Sequence, residues 1–285
     1  MSSRRILAAA GIALFAGAAP LLSQILPADI SRERSVYAEW LAGAPNSPLA
    51  ALAQQPIGAG LLLGPNDADV PIESMAQHRV TERNGVVTLE GPGGTRVLPR
   101  GRPVPMGSHV IAAGGSRGRS VVTVFGPTRK GAAAEFYPYD PSLVFEGPIA
   151  PPDEAARVRV LAADGIETEA SEAGSVVVRI GGRPVRLKVR RVPTGEEEAE
   201  LEIFFRDSTN DEGTYPAGRF VSLVPLAQGR YRLDFNRARN PFCAYSSAYP
   251  CPAPWRGNTI EAPVRAGERY LGGGLSAPPA GLEAR

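Results

Sequence analysis

The sequence predicts a mainly β protein: an N-terminal leader and short helix, then two β-rich subdomains of sandwich or barrel-like form with few helices. Three observations carry this reading. Short runs rich in β-branched and aromatic residues follow one another from about residue 78, each bounded by Gly, Pro or Asn. Apolar residues at helical spacing are confined to the region before residue 54, and no long helical pattern comes after it. No internal period of roughly 20–50 residues recurs, which argues against a solenoid or propeller.

The elements can be justified in chain order. Arg4 and Arg5 precede an apolar run from Ile6 to Ala19, followed by Pro20, Leu21 and Leu22, so residues 1–24 read as a signal peptide or N-terminal anchor. The run is shorter than the roughly 20 residues that span a bilayer, which favours cleavage. Pro20 lies close to any Ala-x-Ala processing site, so an uncleaved anchor stays open. The first cysteine is Cys243, which excludes a lipoprotein. The expected location is extracytoplasmic (periplasm, cell envelope or secreted), with membrane contact only through this segment.

Ile30, Val36, Tyr37, Trp40 and Leu41 recur at helical intervals and predict a helix from Asp29 to about Leu41, with Asp29 as its cap. A second short helix is expected over Leu49–Ala53. Strands are then expected at His78–Glu82, Val86–Glu90, Ser108–Ala112, Ser120–Phe125 and Ala134–Tyr137, with Asn84-Gly85 marking a hairpin. Residues 25–146 would form the first subdomain. The prolines of 147–156 can neither extend a helix nor donate to a ladder, and mark a linker. A second subdomain, 157–270, follows with strands at Arg157–Leu161, Ser175–Ile180, Val185–Val192, Ala199–Arg206, Arg219–Leu223 and Tyr231–Phe235. The tail 271–285 reads as disordered.

Charge removes one class of partner. Lys and Arg total 31 against 29 Asp and Glu in 285 residues, and without Arg4 and Arg5 the two signs balance. A chain that neutralises phosphates needs a basic surplus, so no nucleic-acid partner is expected.

The C-terminal half carries a resemblance. Phe205-Arg206-Asp207, Thr214-Tyr215-x-x-Gly218-Arg219, Asp234-Phe235-Asn236-Arg237-Ala238, Cys243-Ala244-Tyr245, Cys251-Pro252, Asn258 and Ala266-Gly267-Glu268 stand in the order and spacing of a known family. In these residues the chain resembles the bacterial domain-of-unknown-function family 1684. Trp40, Ser47-Pro48-Leu49 and Tyr137-Pro138-Tyr139-Asp140-Pro141 extend the likeness upstream, over most of the mature chain. Phe242, where a second proline is usual, and Ala253-Pro254-Trp255-Arg256 depart from the pattern and leave the local loop shape open. The resemblance implies no activity, substrate or cofactor, and no cofactor is expected.

Cys243 and Cys251 enclose seven residues and are the only cysteines of the chain. A disulfide is the leading reading for an exported protein. A thiol or packing role stays open, since relatives without a leader keep both cysteines and a reducing cytoplasm would not maintain an ordinary bridge. Zinc would want four ligands, and His78 and His109 lack ligand-like spacing, so no metal is expected.

Arg206, Asp207, Tyr215, Arg219, Asp234, Asn236, Asn240 and Trp255 are the ligand-binding candidates, because strand ends and turns can converge polar side chains on a pocket. The competing reading is bracing: Asp207 and Asp234 would pair with Arg219 and Arg237, while Asn236 and Asn240 satisfy backbone groups. Gly114-Gly115-Ser116-Arg117-Gly118 fits a nucleophile-elbow pattern, but both histidines precede the serine and a glycine-rich hairpin loop explains it better. The stretch from Asp207 to Gly213 imitates a calcium loop with its glycine one place late. Arg186, Lys188 and Arg190 form a basic strip on one strand face, ordinarily solvated. Tyr231, Phe235, Phe242, Tyr245, Tyr249 and Trp255 read as packing, with Trp255 beside Arg256 a candidate cation–π pair.

Two functions remain. The first is a small-ligand-binding or scaffold module with its pocket near the Cys243–Cys251 loop, the partner being an unknown small molecule or protein. The alternative is a hydrolase-like enzyme using Asp, Arg, Asn and Cys residues of the C-terminal half, for which no catalytic residue can be named. Both need the cysteine loop to fold against Asp207, Arg219 and Asp234 in one recess.

Overall fold

A computed structural model describes residues 26–127, 134–154, 156–194, 198–210, 212–253 and 255–270; the segment expected to be a leader and the tail 271–285 lie outside the described residues. Helix α1 (Ala28–Gly43) comes first, and no described helix is long and apolar enough to cross a membrane. Asp29 does not cap it: Pro27 holds the N-cap, and Asp29 sits in the first turn, paired with Arg237 at 2.5 Å.

The first β-rich unit contains β1 (Ala51–Pro56), β2 (Leu61–Gly64), β3 (Val70–Pro71), β4 (His78–Arg83) and β5 (Val86–Gly91). It continues with β6 (Gly94–Val97), β7 (Val104–Met106), β8 (His109–Gly114) and β9 (Val121–Phe125). Two sheets result, ordered β1-β9-β8-β7 and β3-β2-β4-β5-β6. They share one core that includes Leu63, Val80, Leu89, Ile111 and Val124. Asn84 and Gly85, with φ of 53° and 80°, close the β4–β5 hairpin; the positive φ at both central residues is why Asn-Gly serves there. Residues 114–120 join β8 to β9 as a tight loop, which accounts for the elbow-like glycines.

Two sequence expectations are corrected in this region. Leu49–Ala53 is no helix: a single 3₁₀ turn (Pro48–Ala50) runs into β1, a short apolar run whose period cannot distinguish the two. Ala134–Tyr137 is no strand, since it contributes only an isolated bridge from Phe136 to Glu268.

The second unit is one seven-stranded antiparallel sheet. Its members are β10 (Val144–Pro148), β11 (Arg157–Leu161), β12 (Glu167–Ile180), β13 (Arg183–Pro193), β14 (Ala199–Phe205), β15 (Arg219–Pro225) and β16 (Arg230–Asp234). They are ordered β10-β16-β15-β14-β13-β12-β11. Pro148 ends a strand paired with β16, and Ala150 bridges to Ser175 of β12, so the sheet curls strongly on itself without closing into a barrel. Both faces are buried in part. Phe205 belongs to a core with Leu187, Val221 and Phe235, whereas its neighbour Phe204 points the other way, to Phe220 and Trp255.

The loop bearing the cysteines sits where the two units meet. Cys243, Ala244 and Tyr249 pack with Tyr215 of the second unit and with Ala51 and Phe125 of the first.

Candidate functional site

Arg219 is the centre of the candidate cluster and is wholly buried. One terminal nitrogen donates to Asp207 Oδ2 at 2.9 Å and to the Val264 carbonyl at 2.8 Å; the other donates to the carbonyls of Ala266 and Glu268. Desolvation lowers the guanidinium pKa from its ordinary value, and Asp207 opposes that shift. The other Asp207 oxygen accepts from the Thr209 hydroxyl and from the backbone of Thr209 and Val264. The pair therefore clamps the strap 264–268 onto β15. Gly267, with φ of 74°, permits the approach: a Cβ there would meet the Ala238 and Phe235 carbonyls at 2.6 and 2.7 Å.

The other candidates are braces by contact. Asp234 accepts from Asn236 and lies 3.7 Å from the Arg237 guanidinium. Asn236 exchanges hydrogen bonds with both backbone groups of Asp140. Asn240 donates its backbone N–H to the Glu268 carboxyl and its side-chain amide to the Arg269 carbonyl. Arg206 forms a backbone bridge with Thr259. Trp255 is buried, and the cation over its ring is Arg190 at 4.3 Å rather than Arg256. Arg190 thereby leaves the basic strip, as does Arg186, which donates to Ser175. Cys243 and Cys251 form a disulfide, and the Tyr215 hydroxyl lies within 3.4 Å of both sulfurs.

A buried relay that the sequence did not suggest runs beside this cluster. Tyr37 of α1 meets Tyr245 through their hydroxyls at 2.9 Å, and Tyr245 donates to Glu268. Burial pushes the Glu268 carboxyl up to about 7, against the downward pull of Tyr245, the Asn240 N–H and the charges of Arg239 and Arg219. Burial also holds both phenols above their ordinary range.

The open recess lies on the far side of Tyr37. A groove of about 980 Å³ separates α1 from the outer face of β14 and β15. Val36, Tyr37 and Trp40 line it from the helix, Phe220 and Val224 from the sheet, and Phe242 from beside the disulfide. Arg237 and Arg239 close one end, held by Asp29 and Glu33, and Arg239 also lies 3.9 Å over the Tyr37 ring. Glu200 and Glu202 of β14 line it as well. Desolvation, with Glu200 and then Asp164 adding to it, pushes the Glu202 carboxyl up to about 8. Of the sequence candidates only Asn240 reaches this groove; Asp207, Arg219 and Asp234 do not line it. Alternation along β14 gave Glu200 and Glu202 the pattern of a solvated strand face, and nothing in the sequence tells that a helix some 160 residues earlier lies across them.

The geometry can be set beside known proteins. Residues 132–269 match the family described as "Protein of unknown function (DUF1684)". The chain belongs to this family. The DUF1684 segment takes in the whole curled sheet, the disulfide loop and Tyr137–Pro141, and stops short of Trp40 and Ser47–Leu49. The groove thus has a DUF1684 floor and a helical wall from outside that segment. Among solved structures, the solution structure of an uncharacterized protein of Haloarcula marismortui is similar, with 30% identity over 48% of this chain and 76% of that one and a TM-score of 0.42. No curated protein matches the chain.

Proposed function

We propose that the protein is a non-catalytic extracytoplasmic module that binds a small molecule in the groove between α1 and the curled sheet. One observation carries this reading: a recess of about 980 Å³ lined by Val36, Tyr37, Trp40, Phe220, Val224 and Phe242 together with charged residues of α1, β14 and Arg237 and Arg239. That size and lining suit a small-molecule site. Of the five large apolar side chains that stand exposed among the described residues, Val36 and Val224 both line this groove, and an occupant would cover them. The extracytoplasmic part is supported by the Cys243–Cys251 disulfide and by the leader-like apolar run at the N-terminus. The hydrolase-like alternative drew on Asp, Arg, Asn and Cys residues of the C-terminal half; of these, Asp207 and Arg219 are engaged with one another and the two cysteines are joined.

The test uses tryptophan emission. Trp40 lines the groove and Trp255 is packed elsewhere, so Trp255→Phe leaves one reporter. Titration with apolar small molecules is expected to change Trp40 emission saturably and to raise Tm, and Val36→Glu, which sets a charge among the apolar walls without adding a second reporter, is expected to weaken both. Absence of any saturable change across the series would overturn the reading.

A further inference from the structure

We propose, resting on the groove being the binding site, that its occupant is an apolar molecule bearing one cationic amine, with the amine set against Glu202 and Glu200 and its hydrocarbon or ring over Trp40, Phe220 and Phe242.

Charge complementarity carries this. The groove has two polar regions of different character. At one, Arg237 and Arg239 are already neutralised by Asp29, Glu33 and Asp234, and Arg32 lines the groove from the same stretch of α1 that carries Asp29 and Glu33. At the other, Glu202 has no hydrogen-bond or ion-pair partner among the described residues, while Glu200 accepts only the Ser222 hydroxyl, at 2.8 Å. The cation directly across from Glu202 is occupied: Arg190 on β13 is laid over Trp255 and is acted on by Glu172. Asp164 adds a further negative charge from the β11–β12 turn. An unpaired carboxyl at the edge of an apolar recess is costly to ionise, and an incoming ammonium group supplies the missing counter-charge. The aromatic lining favours the same occupant, because ring faces attract cations and cover the attached hydrocarbon. A carboxylate ligand would meet like charge there, and a neutral one would leave Glu202 unpaired.

The experiment compares three probes of equal length, 4-phenylbutylamine, 4-phenylbutanol and 4-phenylbutyrate, by Trp40 emission on the full chain. The amine is expected to bind at least about tenfold tighter than the alcohol, and the carboxylate weakest. Between pH 6 and 8 the amine's affinity is expected to rise by up to about tenfold per pH unit, as binding releases the Glu202 proton. Glu202→Gln should bring the amine down to the alcohol's affinity, remove that slope and leave the alcohol unchanged. Val224→Lys, at an exposed position on the neighbouring strand, should weaken the amine alone and serves if Glu202→Gln does not fold. Equal affinities for amine and alcohol, or an amine preference untouched by these variants, would overturn the inference and leave the binding function standing. Binding of none of the three to a folded chain would overturn both.

Discussion

Arg219 and Asp207 show how a site-like cluster can be purely architectural. A buried ion pair gains little over an apolar pair, because both charges must be desolvated, but removing one partner strands the other. Arg219→Ala is therefore expected to lower unfolding free energy by about 3–5 kcal/mol in urea titrations. Adding Asp207→Asn should recover part of that loss, because the remaining amide still accepts from Thr209 and Val264 while carrying no charge. Equal losses for the single and double variants would contradict the pairing argument. The residue types alone made an Asp207–Arg219 pair legible as the bracing alternative. The rest of the clamp was not legible, because Arg219 is chiefly satisfied by carbonyls of 264–268, and a backbone carbonyl has no sequence signature.

At the scale of elements, the disulfide loop is the joint between the two β-rich units. Its short closure restricts the unfolded chain, worth roughly 2–3 kcal/mol by loop entropy for so few residues. Cys243→Ser with Cys251→Ser is expected to cost about that much, less any relaxation of the loop, measured as the shift of the urea midpoint at unchanged slope. A clearly larger loss would mean that the loop holds the units together by more than chain entropy. Helix α1 was legible as a helix and illegible as a wall. Its apolar residues serve two stripes: Ile30 and Leu41 are buried, Val36 and Trp40 line the groove, and Tyr37 is buried at the border and reaches both. Periodicity reports only that apolar residues recur on a helix, and an inward stripe beside a groove-facing one reads as a single broad face. The same limit explains β1, whose apolar run was too short to reveal its period.

At the scale of the whole molecule, the groove and the relay place two raised carboxyls, Glu202 and Glu268, in one fold, and this sets how stability follows pH. The Glu268 carboxyl moves from an ordinary value of 4.5 to about 7, so between those values the folded chain holds a proton that the unfolded chain has released. Stability from this group is full below about 4.5 and declines as pH climbs to about 7, above which the folded state carries a buried carboxylate. A tenfold difference in proton affinity between the folded and unfolded chain is worth about 1.4 kcal/mol, so the decline amounts to a few kcal/mol. Glu268→Gln carries no titrating group, and whatever the substitution costs in lost contacts is nearly independent of pH. The unfolding free energy of the variant minus that of the parent is therefore expected to grow more favourable to the variant by a few kcal/mol from pH 4.5 to about 8. Urea titrations at closely spaced pH values read this difference directly, and parallel curves would mean that Glu268 is ionised throughout, with Tyr245, Asn240 and Arg239 offsetting the cost of its burial.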